Sequence, residues 1–241
     1  NLSGLGVMLP YAPLFYLILS KFGNPAVATS ANISDAPIIF KDDDALQSLF
    51  SVADFVVTNN RKIVVPQDDS VIQFTKISKQ KIVIRRSRGL APSYFDYDCN
   101  TDNTVFATGA LLKSSFTFVT KNNTYISQYL GNTESFEAQK TYAETAQHFF
   151  DLFKTKPDVI LTDKHPQYFS NQFSKNLADK FNIEVIEIQH HKAHFAAGLA
   201  ETKSLTRDPL QRERGIAVLD VIWDGKGLGD AGNVWGGGFF E

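Results

Sequence analysis

At 241 residues the chain is long enough for one large domain or two modest ones, and 43% apolar with 21% charged residues excludes a disordered or fibrous class. A formal net charge of -2 gives no global pull toward nucleic acid or an anionic membrane. The single cysteine, Cys99, excludes an internal disulfide and a cysteine-built zinc site, so a reducing cytoplasm is the expected setting.

The longest apolar run, Val7 to Leu19, is broken by Pro10 and Pro13 and falls short of the ~20 residues a membrane span needs. The chain opens on Asn1 without a basic-then-apolar leader and closes on Glu241 after a glycine-rich turn, so both ends read as cut. In "LPYAPLFYLILSKFG" the prolines permit a helix start. Leu14, Leu17, Ile18 and Phe22 recur at helical spacing, and Gly23 stops the helix. "PAVATSANIS" reads as an apolar strand entering a polar turn. "DDDALQSLFSVADFVVTNN" reads as a helix with an acidic first turn, then a short strand.

Three β-branched segments follow, "KIVVPQ", "SVIQFTKI" and "KIVIRRSR", and "GLAPSYFDYDCNTDN" after them carries turn residues without periodicity. A domain boundary is therefore expected at residues 96–103, dividing residues 1–95 from 104–241. Beyond it, strands alternate with turns as far as "SQYLG", with Asn122-Asn123 as a hairpin tip. Phe136, Ala143, Ala146, Phe149, Phe150 and Phe153 suit one face of a long helix. "PDVILTD", "NQFSKNLADKF", "IEVIEIQ" and "HHKAHFAAGLAETK" then predict strand, helix, strand and helix. The end reads as strand, Gly-rich loop, strand. The fold class is α/β.

Three of the five histidines fall within "QHHKAH". His190 and His194, spaced i, i+4 on a helix, project from one face as a divalent transition metal requires, and His191 points elsewhere. Asp224, ending a strand, is either a third ligand or a turn Asp before Gly. The predicted loop from Gly225 through Gly227 and Gly229 to Gly232 would let backbone amides approach phosphate, as would a turn at Gly236 to Gly238, although neither matches a dinucleotide fingerprint or P-loop. Lys113 in "GALLKSS" is a phosphate-binding point charge or a plain hairpin lysine. Ser30, Asn32 and Ser34 could line a phosphate site or cap a helix. Arg85, Arg86 and Arg88 could fork onto phosphate or lie on a solvated strand edge, and Arg61 and the pair Asp68-Asp69 are equally open.

The segments "GVMLPYAPLF", "TSANISDAPI", "ADFVVTNNRKIV", "DDSVI" and "IRRSRGLAP" resemble the later part of the YrdC-like domain of the HypF carbamoyltransferases. "ATGALLKSSF", "SQYLGN", "HPQY", "IEIQHHKAH" and "WDGKGLGDAGNVWGGGFF" resemble the opening lobe of that family's TsaD-like, actin-like ATPase domain. The resemblance implies an enzyme that forms carbamoyl-adenylate from carbamoyl phosphate and ATP, then passes the carbamoyl group to the C-terminal cysteine of a HypE-type partner for nickel–iron hydrogenase maturation. It places Ser30, Asn32, Arg85, Arg86 and Arg88 at a first nucleotide site, and Lys113, Asp224, Gly225, Gly227 and Gly229 at a second. His190 and His194, with Asp224, would hold iron or zinc, and magnesium could accompany ATP. Lys192 stands where the family carries a third consecutive histidine. Competing expectations are a tRNA threonylcarbamoylation or O-carbamoyltransferase enzyme, and a nucleotide-binding fragment with little or no turnover.

Overall fold

A computed structural model describes residues 7–32, 37–95, 101–121, 123–205 and 219–240. The chain divides into two units, Asn1–Ala31 and Asn32–Glu241. The first contains helix α1 (Pro13–Phe22), started by a proline at its first turn and closed by Gly23 at φ 71°, whose N–H donates to the Leu19 carbonyl at 2.9 Å. Its apolar residues Leu14, Leu17, Ile18 and Phe22 are exposed.

The second unit opens with α2 (Asp42–Ser48), whose first turn carries Asp42, Asp43 and Asp44 against the positive end of the helix dipole. Next comes an antiparallel hairpin, β1 (Val71–Phe74) with β2 (Lys81–Arg85). Three expected strands are not formed: residues 25–29, 54–60 and 62–67 contain no strand. Strand propensity is realised only where a neighbour completes the ladder and a face is buried, and here Val27, Phe55 and Val57 are largely exposed.

The core is a six-stranded mixed sheet with order β3-β6-β5-β4-β7-β8. Its strands are β3 (Ser93–Phe95), β4 (Val105–Ala107), β5 (Thr117–Thr120), β6 (Asn123–Ile126), β7 (Val159–Asp163) and β8 (Glu184–Ile188). β3, within a segment expected to be irregular, pairs antiparallel with β6, Tyr94 facing Tyr125. β4, β5 and β6 form a meander, its second turn closed by the Thr120↔Asn123 pair. β4–β7 and β7–β8 are parallel. The latter pair is joined through α4 (Phe169–Phe181), a βαβ unit.

Helix α3 (Phe136–Phe153) begins where Ser135 Oγ accepts the Ala138 N–H at 3.2 Å, and ends at Lys154 in the left-handed region. Tyr142, Ala146, Phe149 and Phe150 bury one face against Phe106, Phe116, Phe118 and Ile160 of the sheet. The rings meet mostly edge to face, as Phe116 and Phe149 do at 4.9 Å and 86°. Phe136, expected on this face, is 73% exposed because it starts the first turn, beyond the edge of the sheet contact.

Helix α5 (His190–Leu205) follows β8, and the chain ends in a separate hairpin of β9 (Asp220–Leu228) with β10 (Val234–Phe240). The expected glycine-rich loop is therefore largely strand. Gly225 and Gly227 lie within β9, Gly236 to Gly238 lie within β10, and the connecting turn runs from Gly229 to Asn233. Glycine allows this close pairing: a Cβ at Gly237 would stand 2.8 Å from the Ile222 carbonyl oxygen. No helix among the described residues is long and apolar enough to cross a membrane.

Candidate metal centre

The C-terminal end of a parallel strand, the first turn of a helix and one hairpin strand meet at the histidines. His190 and His194 sit one turn apart on α5, their ring centroids 4.9 Å from each other. Asp224, on β9, brings Oδ2 to 3.0 Å from His190 Nε2. One ligand atom from each of His190, His194 and Asp224 lies within 4.8 Å of the others.

Asp163, the last residue of β7, completes the arrangement. Its Oδ2 lies 2.6 Å from His190 Nδ1 and its Oδ1 accepts the His165 N–H at 2.8 Å, so the carboxylate is only 6% exposed yet has both oxygens engaged. The hydrogen bond to Asp163 raises the His190 pKa, overcoming burial, with the negative charges of Asp163 and Asp224 adding to it. His194 moves the other way, lowered by burial and by the neighbouring His190. A carboxylate on Nδ1–H fixes the tautomer in which Nε2 offers its lone pair toward Asp224 and His194. Asp224 Oδ2 is a buried oxygen whose near neighbour is His190 Nε2 at 3.0 Å, an ion pair when that ring is protonated. Two imidazoles and a buried carboxylate oxygen converging on one point form a donor set that suits zinc or ferrous iron, so these residues fit a divalent metal. Asp163 was not singled out from the sequence; an acid closing a predicted strand just ahead of a helix was the available signal.

His191 points away from the cluster, as the helical spacing requires. It is fully buried, with Nδ1 3.0 Å from Gln189 Nε2. Gly227 is glycine for this reason: a Cβ there would stand 2.3 Å from His191 Cε1. The amides expected to cradle phosphate have local partners instead. Gly225 N–H donates to Asp224 Oδ1 at 2.7 Å and Gly229 N–H to the Asn233 carbonyl at 2.7 Å.

Lys113 occupies a left-handed position at φ 49° in the β4–β5 turn, its N–H donating to Asn132 Oδ1 at 2.9 Å and its side chain exposed. The same turn needs Gly109, at φ 69°, where a Cβ would meet the Ser115 carbonyl oxygen at 2.6 Å. Beside it, a cavity of about 350 Å³ is lined by Leu111, Thr133, Gln139, His165, Tyr168 and Gln172. Tyr168, whose ring stacks on His165 at 4.1 Å, has its phenol pKa raised by burial and then by Asp163 and Asp224.

The arginines lie elsewhere in the second unit. Arg85 reaches Asp68 at 2.7 Å and the Asp69 carbonyl at 2.8 Å. Arg88 donates to the Gln67 carbonyl at 3.3 Å, and burial lowers the Arg86 pKa. Ser30 lies one residue before the end of the first unit and Asn32 begins the second, both in segments without a strand, and Ser34 and Cys99 fall outside the described residues.

Comparison with known proteins gives these two halves a class. A family model described as telomere recombination, the Sua5/YciO/YrdC family, matches residues 1–87, and one described as the HypF Kae1-like domain matches residues 100–201. The chain is thus an α/β protein joining a YrdC-like segment to a Kae1-like segment. It is 36% identical over 98% of its length to the carbamoyltransferase HypF of Synechocystis sp., and 35% identical over 98% to a probable carbamoyltransferase HypF of Methanocaldococcus jannaschii, covering 29% of each. A crystal structure of full-length HypF in a phosphate- and nucleotide-bound form superposes with a TM-score of 0.82 at 34% identity, covering 98% of this chain and 29% of that one. The structure of T. kodakarensis HypF gives 0.74 at 33% identity, covering 88% of this chain and 26% of that one. The chain corresponds to a fragment of a HypF-type protein, spanning 29% of the length of these two curated relatives.

Proposed function

We propose that the chain is the junction segment of an ATP-dependent carbamoyltransferase acting in nickel–iron hydrogenase maturation in the cytoplasm. Its substrates are carbamoyl phosphate and ATP, its intermediate is carbamoyl-adenylate, and its acceptor is the C-terminal cysteine thiolate of a HypE-type protein. The observation that carries this reading is the convergence of His190, His194 and Asp224, backed by Asp163, in a chain whose relatives are named carbamoyltransferases.

His190 Nε2, one nitrogen of His194 and Asp224 Oδ2 would hold iron or zinc. When bound, the metal supplies Lewis-acid neutralisation of phosphate charge. The chain's own residues do the rest. Asp163 keeps the Nδ1 proton of His190 in place, leaving Nε2 a lone pair. Lys113, on its tight turn, presents a cation to phosphate oxygens, where magnesium could accompany the nucleotide. Asn32, Arg85, Arg86 and Arg88 serve the first nucleotide site. Asp224 anchors the strand carrying Gly225 and Gly227, with Gly229 opening the turn beyond it, at the second site.

Metal analysis tests the reading. The purified chain should carry near-stoichiometric iron or zinc by mass spectrometry, and the His190→Ala, His194→Ala double variant should lose it. A wild-type chain that stays metal-free after zinc loading overturns it.

A further inference from the structure

Asp230 sits in the turn between β9 and β10 and receives two cations, one on each carboxylate oxygen. Lys164 Nζ lies 3.1 Å from Oδ1 and Lys192 Nζ lies 3.0 Å from Oδ2. Lys164 Nζ also donates to the Asp230 backbone carbonyl at 3.3 Å. The positions of the two lysines in the chain give these contacts meaning. Lys164 directly follows Asp163, which orients His190, and Lys192 lies two residues beyond His190 on α5. Asp224, on the same hairpin as Asp230, is the only member of the cluster that comes from neither β7 nor α5.

The hairpin pairs with no other strand among the described residues, so side-chain contacts must fix its place on α5. Apolar and neutral contacts dock it: Trp235 packs 5.9 Å from His191, Gly227 presses on the same ring, and Gln189 Nε2 donates to the Leu228 carbonyl at 3.3 Å. These hold the hairpin against the helix, together with Phe195 stacked on Phe240 at 5.7 Å and Asp224 Oδ2 3.0 Å from His190 Nε2. A metal ligand tolerates only a few tenths of an ångström of displacement.

We propose that Asp230 is a positioning residue for the metal cluster, bridging Lys164 and Lys192 so that the hairpin stops where Asp224 meets His190 and His194. The role rests on the metal reading, but the clamp itself does not. Exposed ion pairs contribute little singly and are screened by salt. Two of them on one carboxylate, each beside a residue of the site, act on the location of Asp224 more than on overall stability.

The test uses zinc as probe and the whole chain in wild-type, Asp230→Asn, Asp230→Glu and His190→Ala forms, with zinc affinity measured in low salt and in about 1 M NaCl. Asp230→Asn should weaken zinc about 3- to 10-fold in low salt, Asp230→Glu should recover part of the loss, and the difference should largely vanish where the Debye length falls to about 3 Å. A metal-free readout accompanies it. In a Trp223→Phe background, acrylamide should quench Trp235 more strongly in Asp230→Asn than in its parent. Equal zinc affinity in low salt together with unchanged quenching overturns the proposal. If the wild type binds no zinc, the metal reading falls with the role built on it, and quenching alone decides whether Asp230 pins the hairpin.

Discussion

Replacing Asp163 by Asn isolates the carboxylate behind His190. The change is nearly isosteric, but Asp163 accepts on both oxygens, from His190 Nδ1–H at 2.6 Å and from the His165 N–H at 2.8 Å. An asparagine has one acceptor oxygen, so one of those N–H groups must face an NH₂ in a site that is 6% exposed. Losing the charge also lowers the basicity of Nε2. Substitutions behind a metal-binding histidine typically reduce metal affinity 10- to 100-fold, about 1.4–2.7 kcal/mol, which matches the worth of a charge-assisted hydrogen bond.

The pH dependence gives a second signature. Asp163 raises the His190 pKa, so protons compete with metal, and affinity should fall as pH drops through that raised value. In Asp163→Asn the plateau affinity should be lower but the falling limb should move to lower pH, because its cause has been removed. Zinc titration by calorimetry across pH measures both. Unchanged plateau affinity, or a limb that moves to higher pH, refutes the reasoning.

Gly227→Ala should push the hairpin off α5, since its Cβ would stand 2.3 Å from a ring that is itself fully buried; overpacking of this kind costs about 1–3 kcal/mol, read as a fall in Tm of roughly 2–12 °C. Tyr142→Phe removes the hydroxyl that donates to the Thr108 carbonyl at 2.8 Å and should cost about 1 kcal/mol at neutral pH in a denaturant titration. Burial also raises the Tyr142 pKa well above its ordinary 10.0. The unfolded chain therefore ionises first, and this group's contribution is complete below pH 10 and lost as pH rises toward the folded value, by about 1.4 kcal/mol per pH unit. The alkaline slope of stability should be shallower in Tyr142→Phe by that amount, and equal slopes would exclude Tyr142 as its source. The isolated chain should support little or no ATP–pyrophosphate exchange, which a radiolabel assay measures directly; robust exchange would show that the segment is catalytically sufficient.

The parts legible in the sequence were those governed by local periodicity. The 3.6-residue rhythm of α3 and the i, i+4 spacing of His190 and His194 both depend on residues within a turn or two of each other. "KIVVPQ" and "DFVVTNN" failed because strand propensity says nothing about whether a partner strand is available. β3 was missed because its three residues are strand only by virtue of β6, some thirty positions later. The glycines of β9 and β10 misled for a related reason. Gly227 and Gly237 are required by a neighbouring ring and a neighbouring carbonyl, and a sequence cannot separate that need from a phosphate-binding loop. Asp163 became visible only once β7 and α5 lay side by side.

The topology also orders assembly in time. β4, β5 and β6 close through short local turns, whereas β4 with β7, and β7 with β8, must each enclose a helix before their ladders form. Contacts that close large loops cost more entropy and form later. Asp163 and His190 lie at the ends of these late strands, and Asp224 arrives on a hairpin later still in the chain. The four groups are therefore brought together by contacts that are distant in sequence. A metal held by these four groups would depend on the folded arrangement, and by mass action it would stabilise the fold that assembles them.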